Sequence, residues 1–142
     1  MNMKREIKFR GKSLIHNKWI YGGLAEDRHD NAVILPKNNW QKGGCVDKDT
    51  IGQFTGIHDS RGVEVYEFDI IKDEGSEQLY VMYFSEKDLR FVRCPIIYFT
   101  KAHEDEKEYN SCATTLEWWN RIKRYVVGNI HDNPELIKEE KI

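Results

Sequence analysis

The sequence has little cysteine, and what it has is unpaired. Its three cysteines, Cys45, Cys94 and Cys112, are odd in number and widely spaced, with no CxxC pair. This excludes a zinc ribbon and thioredoxin-type redox chemistry, and it favours free thiols in a reducing compartment. No apolar run approaches the roughly 20 residues of a membrane-spanning helix. We therefore expect a soluble, cytoplasmic protein.

The sequence also lacks an excess of one charge. Its 22 Lys and Arg residues nearly balance its 24 Asp and Glu residues, which leaves a formal net charge of −2. That balance excludes a globally basic nucleic-acid-binding protein, although a local basic patch is compatible with it. There is no internal repeat and no low-complexity tract, so we expect an ordinary globular chain.

Short segments with strand periodicity dominate what is present. In REIKFRGK, residues 5–12, Ile7 and Phe9 alternate with Lys8 and Arg10, as in a half-buried strand. Similar segments recur up to about residue 100. They predict a mainly β, barrel-like domain of about seven or eight short strands, with one or two short C-terminal helices.

The expected domain organisation follows from the length of the chain and from the changes of sequence pattern along it. At 142 residues the chain fits one domain, with an N-terminal subdomain over 1–48 and a β-barrel core over 49–136 as the expected subdivision. TTLEWWNRIKRY, residues 114–125, has the capping pattern of a helix. Asn133 followed by Pro134 predicts the start of a second, C-terminal helix.

The segment TIGQFTGIHDSRGVEVYEFDII, residues 50–71, predicts two strands joined by a turn. Its first half is rich in glycine, which lets another backbone approach closely. Asp59 and Gly62 have turn chemistry, because an aspartate accepts hydrogen bonds from the backbone ahead and a glycine takes positive φ. The second strand is predicted to continue without a break through VEVYEFDIIK, residues 63–72.

Four segments together resemble a known family. They are REIKFRGK at 5–12, WIYGGL at 19–24, the segment 50–71 and VVGNIHDNPEL at 126–136, in the same order as in the YopX family of bacteriophage and prophage proteins. The resemblance implies a mainly β fold encoded by mobile elements, with no established activity and no agreed catalytic residues. Its structural signature corresponds here to Gly52, Gln53, Gly56, Asp59, Gly62, Tyr66, Asp69, Gly128, Asn129, Asn133 and Pro134.

One position departs from the family pattern. Where the family usually has Tyr-Glu-Gly-Asp, this chain has Tyr66, Glu67, Phe68 and Asp69. A glycine there would suit a bulge or a positive φ. Phe68 must therefore keep ordinary strand geometry or carry backbone strain.

Carboxylates and histidines give a weak signal for catalysis. Glu67 and Asp69 share a strand face by period two, and with His131 they are the basis of a metal-dependent hydrolase or nuclease hypothesis. The five histidines, however, have no metal-ligand spacing. We predict no catalytic residue, no metal and no cofactor.

Two segments that mix basic and aromatic residues are the stronger binding candidates. The alternation in the first segment predicts that Lys8, Arg10 and Lys12 lie on one solvent face. Basic side chains neutralise phosphates and exposed rings stack on bases, but for the second segment we favour tryptophans that fill the core. The candidate residues are Arg5, Lys8, Arg10, Lys12, Trp118, Trp119, Arg121, Lys123 and Arg124.

The leading functional hypothesis is a non-enzymatic phage or prophage accessory protein of the bacterial cytoplasm. It would act by binding a partner protein or a second copy of itself, because the sequence carries no catalytic signature. The alternative hypothesis is a nucleic-acid-binding module that uses the basic strand 4–12 and the segment WWNRIKRY, residues 118–125.

Overall fold

Two compact units make up the chain, Met1–Gly56 and Ile57–Ile142. The computed structural model describes residues 5–99, 116 and 119–138. The first unit ends at Gly56, eight residues beyond the end of the expected subdomain 1–48. The reason is strand pairing, since Gln53 and Gly52 pair with Phe9 and Arg10 near the start of the chain.

Unit 1 is an antiparallel sheet in the order β4-β3-β2-β1-β5. Residues of one face, such as Phe9 and Ile20, pack on the buried side chains of Ala32, Ile34 and Val46. The opposite face carries Arg10 and Lys12 of β1, which alternate with Phe9 and Gly11. The strands are β1 Phe9–Lys12, β2 Trp19–Glu26, β3 Ala32–Leu35, β4 Gly44–Cys45 and β5 Gly52–His58, the last of which crosses into unit 2.

Unit 2 contains the end of β5, which forms a hairpin with β6, and a second antiparallel sheet in the order β10-β7-β8-β9. Ile70 and Ile71 are both fully buried on β7, so this strand is covered on both faces. Burying each such side chain contributes about 1.5–3 kcal/mol. The strands are β6 Glu64–Tyr66, β7 Asp69–Asp73, β8 Leu79–Ser85, β9 Arg90–Pro95 and β10 Arg124–Asn129.

The two edges of this second sheet differ in regularity. The pairing of β10 with β7 shifts register between Val126 and Gly128, which places a β-bulge in β10. At the other edge, β9 ends at Pro95, opposite Tyr80 of β8. The β10 edge is therefore interrupted, whereas β9 is regular along its length and lacks an N–H group only at Pro95.

The predicted mainly β fold with short strands and short helices is confirmed. The described strands form two open sheets and not the closed barrel that we expected, and they number ten, not seven or eight. The reason lies at Glu67 and Phe68, where a turn divides the predicted strand 63–72 into β6 and β7. These two strands belong to different sheets, so the chain leaves the first sheet before it could close.

The helices are short. The C-terminal helix Pro134–Lys138 begins at the predicted residue, and residues 96–99 are also helical. Of the predicted helix 114–125, the capping residues Thr114 and Glu117 lie outside the described residues. Its described part is the 3-10 helix Trp119–Arg121 followed by β10. Within the described ranges, no helix has both the length and the apolar character to span a bilayer.

Candidate binding cleft in the N-terminal unit

A cleft of about 840 Å³ opens in unit 1 beside the segment that leads into β1. Three of the residues that line it are basic, Arg5, Lys8 and Lys37, and one is acidic, Glu6. The Lys8 Nζ atom lies 3.4 Å from a Glu6 carboxylate oxygen, an exposed ion pair that contributes little to stability. The charge of the cleft is therefore positive.

Apolar side chains form the rest of the cleft wall. Ile7 and Tyr21 are each 44% exposed, and Leu35 is 38% exposed. The backbone of β2 approaches β3 closely here, because a Cβ atom at Gly22 would overlap the carbonyl group of Leu35. Glycine at this position thus brings Tyr21 and Leu35 to the same cleft.

Lys8, Arg10 and Lys12 lie on one sheet face as predicted, but that face is not simply solvated. The Arg10 guanidinium lies 4.6 Å from the centre of the Trp19 ring, and Arg10 is only 5% exposed. The predicted solvent exposure of Arg10 is therefore wrong. The physical reason is its position between Tyr21 on β2 and Gly52 on β5, since a glycine partner leaves room for the arginine to lie flat.

The two lysines of this face also contact aromatic rings. Lys12 Nζ is 5.6 Å from the Trp19 ring centre, and Lys8 Nζ is 5.4 Å from that of Phe54. Such cation–π contacts at partly exposed sites are worth about 0.5–1 kcal/mol each. Arg5 and Lys8 therefore border the cleft, whereas Arg10 is part of the packing next to it.

Two residues of the second basic-aromatic segment, Trp119 and Arg124, are buried in unit 2. Trp119 is 7% exposed, and its Nε1–H donates to the His58 carbonyl at 3.0 Å. Arg124 is 1% exposed, and its guanidinium lies 4.8 Å from the Trp119 ring centre. These two candidate binding residues are therefore not on the surface, as expected for tryptophans that fill the core.

The charge of Arg124 is balanced by Asp73, a residue that the sequence analysis missed. Arg124 Nε donates to Asp73 Oδ1 at 2.7 Å, and Arg93 donates to the same carboxylate at 3.0 and 3.1 Å. Arg93 also lies 3.9 Å from the Tyr80 ring centre. Asp73 and Arg124 are cross-strand partners at the ends of β7 and β10, so only the pairing register could have revealed the contact.

The remaining members of this segment differ in position. Arg121 and Lys123 are exposed and line a smaller cavity of about 350 Å³ near His58 and Ser60. Trp118 lies outside the described residues. Among the described candidates of this segment, Arg121 and Lys123 are the exposed ones, and Trp119 also lines this cavity although it is largely buried.

Asp59 organises the turn after β5. The carboxylate is buried and accepts hydrogen bonds from the backbone N–H groups of Arg61, Val63 and Val126 at 2.8, 2.9 and 3.0 Å. Burial alone would raise the pKa of Asp59, but these donors and the Arg61 side chain outweigh it and hold the pKa below its ordinary value. Asp59 is thus an ionised structural residue.

Unit 1 contains an exposed counterpart of this turn. Asp27 Oδ1 accepts hydrogen bonds from the His29 and Asn31 backbone N–H groups at 2.8 and 3.0 Å, two and four residues ahead. The side-chain amide of Asn31, followed by these backbone donors, lowers the pKa of Asp27 as well. The two turns share their local chemistry and differ in burial.

Phe68 carries the backbone strain that its position in the family pattern implies. It has a φ of +70°, in the left-handed region that glycine favours. Its N–H donates to Met82 and its carbonyl accepts from Ile130, at 2.6 and 3.0 Å, so the surrounding structure fixes this conformation. The ring packs edge-on against His131, with centroids 5.8 Å apart.

The other signature residues also have structural positions. Gly56 and Gly62 have φ values of +89° and +84°, and Gln53 pairs with Phe9 in the sheet. Asp69 accepts a hydrogen bond at 2.7 Å from the backbone N–H of Tyr66, which closes the turn at Phe68.

The loop before the C-terminal helix is equally tight. A Cβ atom at Gly128 would overlap the side chain of Asn133, which accepts from the Asn129 N–H at 3.2 Å. Asn129 in turn accepts from the N–H groups of His131 and Asp132. Pro134 then starts the helix.

No group of three or more His, Cys, Asp or Glu side chains in the described ranges is placed to hold a metal ion. Glu67 is half-buried in the turn between β6 and β7, Asp69 is buried, and His131 packs on Phe68. The three residues of the hydrolase hypothesis thus occupy structural positions in or beside the turn between β6 and β7.

The geometry defines a small β protein with an open, basic cleft in one unit and a buried ionic centre in the other. A family model described as "YopX protein" matches residues 8–138, nearly the whole chain. The chain belongs to the YopX family. A search among curated proteins returned no match.

Proposed function

We propose that this protein is a non-enzymatic accessory protein of a phage or prophage, which binds a partner protein through the cleft of unit 1. It would act in the cytoplasm of the bacterial host. Membership of the YopX family supports the origin in a mobile element. The free thiols of Cys45 and Cys94 suit a reducing compartment.

The observation that carries the proposal is the composition of the cleft. Three partly exposed apolar residues, Ile7, Tyr21 and Leu35, lie beside the basic residues Arg5 and Lys37. Protein interfaces combine such apolar centres with a polar rim, and tyrosine and arginine are enriched in them. A positive rim favours a partner with an acidic surface.

A pair of matched double variants tests this proposal. Ile7→Ser with Lys37→Glu alters the cleft, whereas Leu89→Ser with Lys87→Glu makes the same changes at exposed positions of unit 2. We expect affinity capture from induced host cells, and light scattering of the pure protein, to show a partner or a dimer that only the first variant loses. Equal retention by both variants, or a monomer that captures nothing, would contradict the proposal.

Nucleic-acid binding is the second candidate function, and the positive charge of the same cleft favours it. Arg5, Lys8 and Lys37 could neutralise phosphates, while the Tyr21 ring could stack on a base. We expect gel retardation of single-stranded DNA, duplex DNA or RNA at low salt. With about three phosphate contacts, log K should fall with log salt with a slope of roughly −2 to −3. Absence of retardation would exclude this function.

A further inference from the structure

Unit 1 contains a second cavity, distinct in position from the cleft. It has a volume of about 600 Å³ and lies between the turn that joins β1 to β2 and the segment that joins β3 to β4. Small-molecule sites in proteins have volumes of about 300–1,000 Å³. The cavity is thus large enough for a nucleotide-sized ligand.

The charge of this cavity has one sign. Lys18 lines it from the β1–β2 turn, and Lys42 lines it from the opposite segment. None of the described residues that line the cavity is an aspartate or a glutamate. A concave site with cations and no acid concentrates anions, because its walls focus the positive potential.

The cavity also offers aromatic surface. Trp19 and Tyr21 both line it. The Trp19 ring is held in place by Arg10, whose guanidinium stacks at 4.6 Å, and the Tyr21 side chain is 44% exposed. Rings fixed in this way can stack on a planar group of a ligand, which typically contributes about 1–3 kcal/mol per base.

Hydrogen bonds hold the β1–β2 turn, which forms one wall of the cavity. The Ser13 hydroxyl accepts hydrogen bonds from the Ile15 and His16 N–H groups, each at 3.2 Å. The Leu14 N–H donates to the Cys45 carbonyl at 3.2 Å, which ties the turn to β4. A preformed site saves the entropic cost of ordering its loops on binding.

From this combination we infer that the cavity binds a small anion with a planar ring, of the nucleoside phosphate class. The phosphate would lie between Lys18 and Lys42, and the base would lie against Trp19 or Tyr21. The inference does not depend on a partner at the cleft, since Tyr21 is the one described residue that lines both sites.

Isothermal titration calorimetry with the four ribonucleoside monophosphates tests the inference, with adenosine and inorganic phosphate as partial ligands. At least one monophosphate should bind, and both partial ligands should bind about tenfold more weakly or worse, because each lacks one half of the recognised group. If inorganic phosphate bound as tightly as a monophosphate, Trp19 and Tyr21 would contribute nothing to binding, and the proposed ligand class would be wrong. A complete lack of monophosphate binding at millimolar concentration would overturn the inference.

Two variants locate the site. Lys18→Gln with Lys42→Gln should weaken binding by about tenfold or more, as expected for the loss of charge-assisted contacts. The control Lys48→Gln with Lys87→Gln removes the same charge from exposed positions outside the cavity. Equal affinity in the two double variants would contradict the assignment.

A third variant fills the cavity. Gly44 lines it, and a Cβ atom there would meet no atom within 4 Å, so Gly44→Phe can place its ring in open space. We expect this variant to fold with an unchanged circular dichroism spectrum and to lose binding. In the wild type, bound monophosphate should slow the alkylation of Cys45, which also lines the cavity, as measured by peptide mass spectrometry. Unchanged binding in Gly44→Phe, or unchanged alkylation of Cys45, would place the ligand elsewhere.

Discussion

Each unit stacks an arginine on a tryptophan at nearly the same distance, 4.6 Å for Arg10 on Trp19 and 4.8 Å for Arg124 on Trp119. In unit 2 the pair is enclosed, because Asp73 balances the arginine and the His58 carbonyl accepts the indole N–H. In unit 1 the indole is half-buried and forms a cavity wall.

The comparison shows that a basic-aromatic segment does not by itself indicate a binding site. The same two residue types form a stabilising core contact where a half-buried carboxylate and an acceptor for the indole N–H are provided. Where the tryptophan is only half-buried, they border an open cavity. The Arg124–Trp119 pair therefore has a structural position in unit 2, whereas we propose a binding role for the surroundings of Trp19 in unit 1, and the following experiments test that division.

The largest expected effect comes from removing the carboxylate that encloses the unit 2 pair. Asp73→Ala would leave the two buried arginines, Arg93 and Arg124, without their shared counter-charge, so the free energy of unfolding should fall by about 3–5 kcal/mol. Urea denaturation followed by circular dichroism measures this. The exposed Glu86→Ala is the control and should change stability by less than about 0.5 kcal/mol. A loss for Asp73→Ala as small as that of the control would refute the structural role.

Truncating each tryptophan compares the two pairs directly. Trp119→Ala should cost about 3–5 kcal/mol of unfolding free energy, because it empties a buried site. Trp19→Ala should cost about 1–2 kcal/mol, since the ring is partly solvated and its cation–π contact is worth about 0.5–1 kcal/mol. Thermal and urea denaturation provide the values. Equal losses would remove the distinction between the enclosed and the open pair.

The strained turn of unit 2 gives a smaller and more specific effect. Phe68→Gly and Phe68→Ala both lose the ring contacts, but only glycine tolerates a φ of +70° without a Cβ clash. We expect Phe68→Gly to be more stable than Phe68→Ala by about 1 kcal/mol, the reverse of the order in an ordinary strand. If alanine were the more stable replacement, the backbone at this position would not be strained.

The smallest expected effect concerns the two aspartate turns, and it is a change in the free energy of unfolding at low pH. The pKa of Asp59 is lowered in the folded state, so its contribution to stability is present above its unfolded pKa of about 4 and is lost as pH falls through the folded value. Asp59→Asn should therefore flatten the decline in stability below about pH 4. Asp27→Asn, in the exposed turn of unit 1, should change this decline less. The prediction would be contradicted if the stability of the two variants fell to the same extent as pH is lowered.

Features with local causes were predictable from the sequence. The alternation in residues 5–12 predicted β1, and the Asn133-Pro134 pair predicted the C-terminal helix, because both depend on near neighbours. Asp59 likewise bonds to the N–H groups of Arg61 and Val63, a few residues ahead. The positive φ at Phe68 was one of two alternatives that the family pattern offered.

Features that depend on distant pairing were not predictable. The Asp73 contact requires the register of β7 against β10, and the burial of Arg10 requires Trp19 and Gly52 on two other strands. The cleft was predictable only in part: the sequence indicated Arg5, because this residue belongs to a local basic segment. Lys37, by contrast, reaches the cleft only through the pairing of β2 with β3.

The edges of the second sheet have a consequence for concentrated solutions of this protein. Strand-by-strand growth into fibres needs a regular edge with N–H groups in register. Among the described strands, β10 presents a bulge at one edge, and β9 at the other ends in Pro95, which has no N–H to offer. Edge-to-edge pairing at the β10 bulge or at Pro95 would therefore lack regular N–H partners, so these two positions should be poor starting points for strand addition.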